Sequence, residues 1–168
     1  MSRLGCIHVA VLVAASVLSI LPVVEPAFAA ETATNGTLVY KMQSIPIRHA
    51  YFVMGQDDVS KKTIRRVILS STDIAAKVAA CKSMSCTEVE VREGMSVDLV
   101  PGGRIEYWIA LNGQLVQYSG TEPVESLQIT ANEATRLAGK LKFDSTGAGG
   151  PRLDVEFDAP LTKDLRPK

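Results

Sequence analysis

Residues 136–158 read RLAGKLKFDSTGAGGPRLDVEFD. Leu137, Gly139, Leu141 and Phe143 alternate with Arg136, Ala138, Lys140 and Lys142, and Leu153, Val155 and Phe157 alternate with Asp154, Glu156 and Asp158. A period of two marks strands with one buried face. Pairing them symmetrically about Ala148 sets Asp144 opposite Arg152, Lys142 opposite Asp154 and Lys140 opposite Glu156. On the other face Phe143 meets Leu153, Leu141 meets Val155, and Phe157 covers Gly139. A slip of one residue would destroy both sets, so this register is predicted. Exposed ion pairs are worth only about 0.2–1 kcal/mol each, so these charges select the register more than they stabilise it. The loop Ser145–Pro151 lacks the Lys and Ser/Thr of a phosphate-binding loop and reads as a flexible connection.

The same period runs back through the chain. Leu38, Tyr40 and Met42 suggest a first strand, punctuated by Ser44-Ile45-Pro46. Residues 47–54 carry few charges on either alternating set, which predicts a strand covered on both faces. Ile64 to Leu69 is a third strand bearing Arg65 and Arg66. One helix is expected over about 72–81, capped by Ser71 or Thr72, with Ile74, Val78 and Cys81 as its inward stripe. Val89 and Val91 alternate with Glu88, Glu90 and Arg92 and read as a strand. Val97 and Leu99 follow, then the Pro101-Gly102-Gly103 turn. Asn112-Gly113 favours a two-residue turn that sets Ile109 opposite Val116 and Tyr107 opposite Tyr118. Leu127 and Ile129 mark a further strand. The pattern as a whole predicts a mainly β fold, an antiparallel β-sandwich or small closed barrel with one short helix.

The first 29 residues read as a cleaved signal peptide, with Arg3, an apolar run from Ile7, the breakers Pro22 and Pro26, and small residues at Ala27 and Ala29. Residues 30–36 are a flexible lead-in, 37–160 a single β-rich domain, and 161–168 a polar tail. The chain has 168 residues, with 18 Lys plus Arg against 18 Asp plus Glu. Zero net charge argues against nucleic acid as a partner, and 46% hydrophobic residues argue against disorder. No membrane span is expected after cleavage. Membrane-barrel strands run about 9–11 residues; these are mostly shorter, and the Lys142/Asp154 face is too charged to meet lipid.

Removal of the leader takes Cys6 and His8 with it, leaving Cys81, Cys86 and His49. In an oxidising compartment two cysteines separated by four residues suggest a disulfide. The alternative is a soft-metal (copper) or thiol-redox site using Cys81, Met84 and Cys86. A second alternative is a hydrolase around His49, although no Gly-x-Ser-x-Gly elbow accompanies it. Tyr107, Trp108 and Tyr118 are candidates for a binding surface. No cofactor is expected.

Gly36-Thr37-Leu38, Arg48-His49-Ala50-Tyr51, Val67-Ile68-Leu69-Ser70, Ala138-Gly139-Lys140-Leu141 and Val155-Glu156-Phe157-Asp158-Ala159-Pro160-Leu161 occur in an order that resembles a group of uncharacterised exported bacterial β-rich proteins. That group has no established activity, so the resemblance implies no site residues. The expected function is that of an exported, non-enzymatic domain, periplasmic or secreted, binding an envelope protein or glycan.

Overall fold

The structure is a computed structural model that describes residues 34–57, 59–100, 102–114 and 116–167. The expected leader, 1–29, and residues 30–33 of the lead-in lie outside the described residues. The closing hairpin is formed by β9 (Arg136–Asp144) and β10 (Arg152–Leu165). Its register matches the sequence reading pair for pair, from Asp144–Arg152 through Phe157–Gly139. The apolar set is buried, and Lys142 reaches Asp154 at 3.0 Å on the other face. Lys140 also leans to Asp154, at 3.3 Å, although Glu156 is its partner across the ladder. The loop expected to be a loose connection is a compact turn. Its ends are joined by the Ser145 N–H donating to the Pro151 carbonyl at 2.8 Å, and Gly149 sits at φ 77°, where a side chain would be strained.

β10 does not stop at residue 160. It continues parallel to β3 (His49–Gln56), with Leu161 opposite Phe52 and, past a bulge between Leu161 and Lys163, Leu165 opposite Gly55. The expected polar tail is therefore largely the second half of a strand. Pro160 opposite Arg136 is the last pair with β9, the Leu161 N–H donates to the Thr135 carbonyl at 2.8 Å, and the chain changes partner there. The sheet order is β2-β1-β10-β3-β4-β5-β6-β7, with β9 and β8 beside the first half of β10. These strands are β1 (Asn35–Tyr40), β2 (Gln43–Ile47), β4 (Thr63–Ser70), β5 (Gly94–Val100), β6 (Arg104–Ala110), β7 (Val116–Pro123) and β8 (Leu127–Asn132). The result is a mainly β, ten-stranded sheet curled into a half-barrel. Among the described residues β2, β7 and β8 each pair with one neighbour only.

Other boundaries move for local reasons. Ser44-Ile45-Pro46, expected to punctuate the first strand, instead lies within β2 (Gln43–Ile47), an edge strand that tolerates Pro46. Met42 is 99% exposed at the hairpin tip instead of lying in a strand. Asn112 and Gly113 both adopt positive φ, 55° and 67°, and the Gln114 N–H donates to the Leu111 carbonyl at 3.0 Å. A register shift beyond this turn places Ile109 opposite Tyr118 and Tyr107 opposite Gly120. Past the bulge the slip is two residues, so Tyr118 keeps the face expected of it, whereas Val116 falls opposite Ala110 and changes face.

The curl separates two apolar regions. Phe52, Val67, Val97, Tyr107, Leu141, Val155 and Phe157 belong to the inner core. Tyr51, Val53, Ile64 and Ile68 face outward beneath Ile74, Val78, Met84 and Val91. β3 is thus covered on both faces, as its sequence predicts. The expected helix over 72–81 is shorter, α1 (Ala75–Ala80), and has no Ser71 or Thr72 cap. Ile74 holds the cap position, and Asp73 just before it accepts from the Ala75 N–H at 2.9 Å and from the Tyr51 hydroxyl at 2.8 Å. The Tyr51 oxygen in turn accepts from the Ile74 N–H at 2.8 Å. Burial, seconded by the Asp73 carboxylate, raises the Tyr51 pKa and keeps its proton in place. The strand expected at 88–92 does not form: a second helix, α2 (Met84–Val89), takes its first residues, and the chain turns before β5 starts at Gly94. Ser83 caps it, accepting from the Cys86 N–H at 3.2 Å. A two-valine alternation is too short to overrule a capped turn whose Met84 and Thr87 are buried.

Candidate functional site

Strand alternation places Arg66 of β4, Asp98 of β5 and Glu106 of β6 on the outward face, in one row across three strands. Trp108, two residues from Glu106, shares that face. α2 brings Met84, Ser85 and Glu88 over this row, and the β3–β4 turn brings Asp57, Val59, Ser60 and Lys62. Together they enclose a cleft of about 560 Å³.

Arg66 organises its floor. The guanidinium, 4% exposed, donates through Nε to Asp98 Oδ1 at 2.5 Å and through Nη2 to Oδ2 at 2.8 Å. Nη1 donates to the Met84 carbonyl at 2.7 Å and to Thr87 Oγ1 at 3.3 Å. A buried arginine is tolerable only when paired and fully hydrogen-bonded, and this one also lies 5.6 Å from the centre of the Trp108 ring. Burial works against its charge, but Asp98, Glu88 and Asp57 together outweigh burial, so its pKa is raised. Glu88 sits 3.8 Å from Arg66 Nη2. Burial pushes the Glu88 carboxyl up; Arg66 opposes the shift and Asp98 adds to it. Asp57 orders the turn at the rim, accepting from the Val59 N–H at 3.1 Å and from the Ser60 N–H. Those bonds, the Ser60 backbone first, hold its pKa below the usual value. Among the described residues none forms an ion pair with Glu106.

The residues singled out in the sequence fall in three places. The Cys81 and Cys86 sulfurs are bonded to each other at 2.08 Å, joining the end of α1 to α2. The Met84 sulfur packs on Gly55, where any Cβ would lie 2.5 Å from it. Among the described residues no group of three or more His, Cys, Asp or Glu is placed to hold a metal. His49 lies parallel to Tyr51, with ring centres 6.4 Å apart. Ser70, opposite it on the ladder, donates its hydroxyl to the Thr72 carbonyl at 2.8 Å. Tyr107 is 1% exposed in the inner core and 6.2 Å from the ring of Tyr118. Only Trp108 of that aromatic trio lines the cleft.

Sequence reasoning passes over Arg66, Asp98, Glu88 and Glu106. Arg65 and Arg66 look like one basic patch, but alternation sends them to opposite faces. Arg65 instead stacks 4.7 Å from the centre of Phe52 and donates to the Glu133 carbonyl at 2.7 Å. The available signal was a charge within each of three adjacent strands at matching alternation. No protein-family model, curated protein or solved structure matches this chain. Among the described residues no helix is long and apolar enough to cross a membrane.

Proposed function

We propose that this chain is an exported, non-catalytic binding domain of the bacterial envelope, and that its cleft receives a basic side chain from a protein partner. The observation that carries the reading is the charge of the cleft. Four lining carboxylates, Asp57, Glu88, Asp98 and Glu106, stand against two cations, Lys62 and Arg66. Arg66 is committed to Asp98 and α2 and also pairs with Glu88, so the carboxylates lining the cleft, Glu106 among them, leave it with negative charge to spare. Val59, Met84, Val100 and the Trp108 indole supply apolar wall for the methylene stem of a lysine or arginine. The leader reading of residues 1–29 supports export.

Trp108 is the only tryptophan of the chain and reports directly on the cleft. A hexa-arginine peptide is expected to change its emission saturably, and Glu106→Gln to weaken that binding by about tenfold. Raising ionic strength from about 0.01 to about 0.15 M should weaken it further. Binding should also decline as pH falls through the raised pKa of Glu88, because the carboxylate takes up a proton there. A neutral chitooligosaccharide that moves Trp108 emission where the peptide does not would overturn the basic-partner reading and favour a glycan.

A further inference from the structure

We infer that the Cys81–Cys86 bridge is a thiol-sensitive latch on the cleft wall, closed when oxidised and slack when reduced. The binding consequence rests on the cleft reading above; the conformational one does not. α1 is held to the sheet at both ends. Tyr51 and Asp73 fix its start, and Lys163 Nζ donates to the Ala79 carbonyl at 2.7 Å near its finish. α2 has only six residues, far below the length at which a helix holds itself in water. Its order comes from the Arg66 contacts, the Ser83 cap and the Met84 packing on the sheet side, and from the bridge to α1 on the other. Three cleft residues, Met84, Ser85 and Glu88, ride on it.

Cys81 is 2% exposed, whereas Cys86 is half-buried and the more accessible residue of the pair. A dithiol reductant attacks through its thiolate at Cys86 Sγ, the Sγ–Sγ bond breaks, and Cys81 leaves as a thiolate that takes up a proton. The second thiol of the reductant then displaces Cys86, which is protonated in turn. Two electrons and two protons pass to the cysteines, and the reductant becomes a disulfide. Residues 82–86 lose their ring, and α2 keeps the Arg66 contacts, the Ser83 cap and the packing of Met84 on Gly55 but loses its covalent tie to α1.

The test is hydrogen exchange with mass spectrometry on the full chain, oxidised and after dithiothreitol, with thiol alkylation to count reduced cysteines. Exchange across 82–90 should accelerate by about 10- to 30-fold, the scale set by closing so short a ring, while the β9–β10 hairpin stays unchanged. Affinity for the hexa-arginine peptide should fall by a similar factor, and reoxidation should restore both. The double variant Cys81→Ser/Cys86→Ser should match the reduced protein. A bridge that survives excess dithiothreitol in the native protein overturns the latch. So does unchanged protection over 82–90, or loss of protection in the hairpin as well. Faster exchange over 82–90 with no peptide binding in either form supports the latch and overturns the cleft reading.

Discussion

Arg66 shows what a single side chain can organise. It pairs with Asp98 on the neighbouring strand and with the Met84 carbonyl and Thr87 on α2, so one guanidinium joins the sheet to the wall of the cleft. Asp98 is only 2% exposed, and removing its partner leaves a buried uncompensated charge. Arg66→Met should therefore cost about 3–5 kcal/mol in urea unfolding, and the pair Arg66→Met/Asp98→Leu should recover most of that loss. A double variant as unstable as the single one would show that the hydrogen bonds to α2 matter more than the ion pair. None of this is visible from residue 66 alone, because Lys61, Lys62, Arg65 and Arg66 look alike until the strand assigns each a face.

The β9–β10 hairpin is the element most legible in the sequence, because charge and apolar alternation independently demand the same pairing. Its weak point is Gly139. A Cβ there would lie 2.5 Å from the Gln128 carbonyl oxygen and 3.2 Å from Ile129 Cα, both on β8. Gly139→Ala should push β8 away and destabilise the domain by about 1–3 kcal/mol. Thermal melting checks the cost, and hydrogen exchange confined to 127–132 checks the location. The α1–α2 segment was less legible. Its two short helices take their order from Tyr51, Arg66 and the Cys81–Cys86 bridge, partners on other elements or at the far end of the turn. In the β6–β7 hairpin the Asn112-Gly113 turn was readable but the bulge beyond it was not, since it leaves Tyr118 on its expected face and moves only Val116, to a place opposite Ala110.

For the molecule as a whole, β10 is the keystone. Its first half lies between β1 and β9, and its second half pairs with β3. Leu161 packs against the inner core and Leu165 against the outer one. Deleting residues 161–168 unpairs one edge of β3 and uncovers part of both cores. The melting midpoint should fall by about 10 °C or more, followed by circular dichroism. A truncated chain that melts with the full one would mean that these residues decorate the fold instead of closing it.

The sequence by itself determined the β character, the faces of nearly every strand, the closing register and the pairing of Cys81 with Cys86, because alternation, charge matching and short spacing are local properties. Tertiary structure alone decided that β10 crosses between the two arms of the sheet, that residues 84–89 are helical, and that Arg66, Glu88, Asp98 and Glu106 meet. Those outcomes depend on which strands become neighbours and on which buried charge finds a partner, and no run of adjacent residues encodes either.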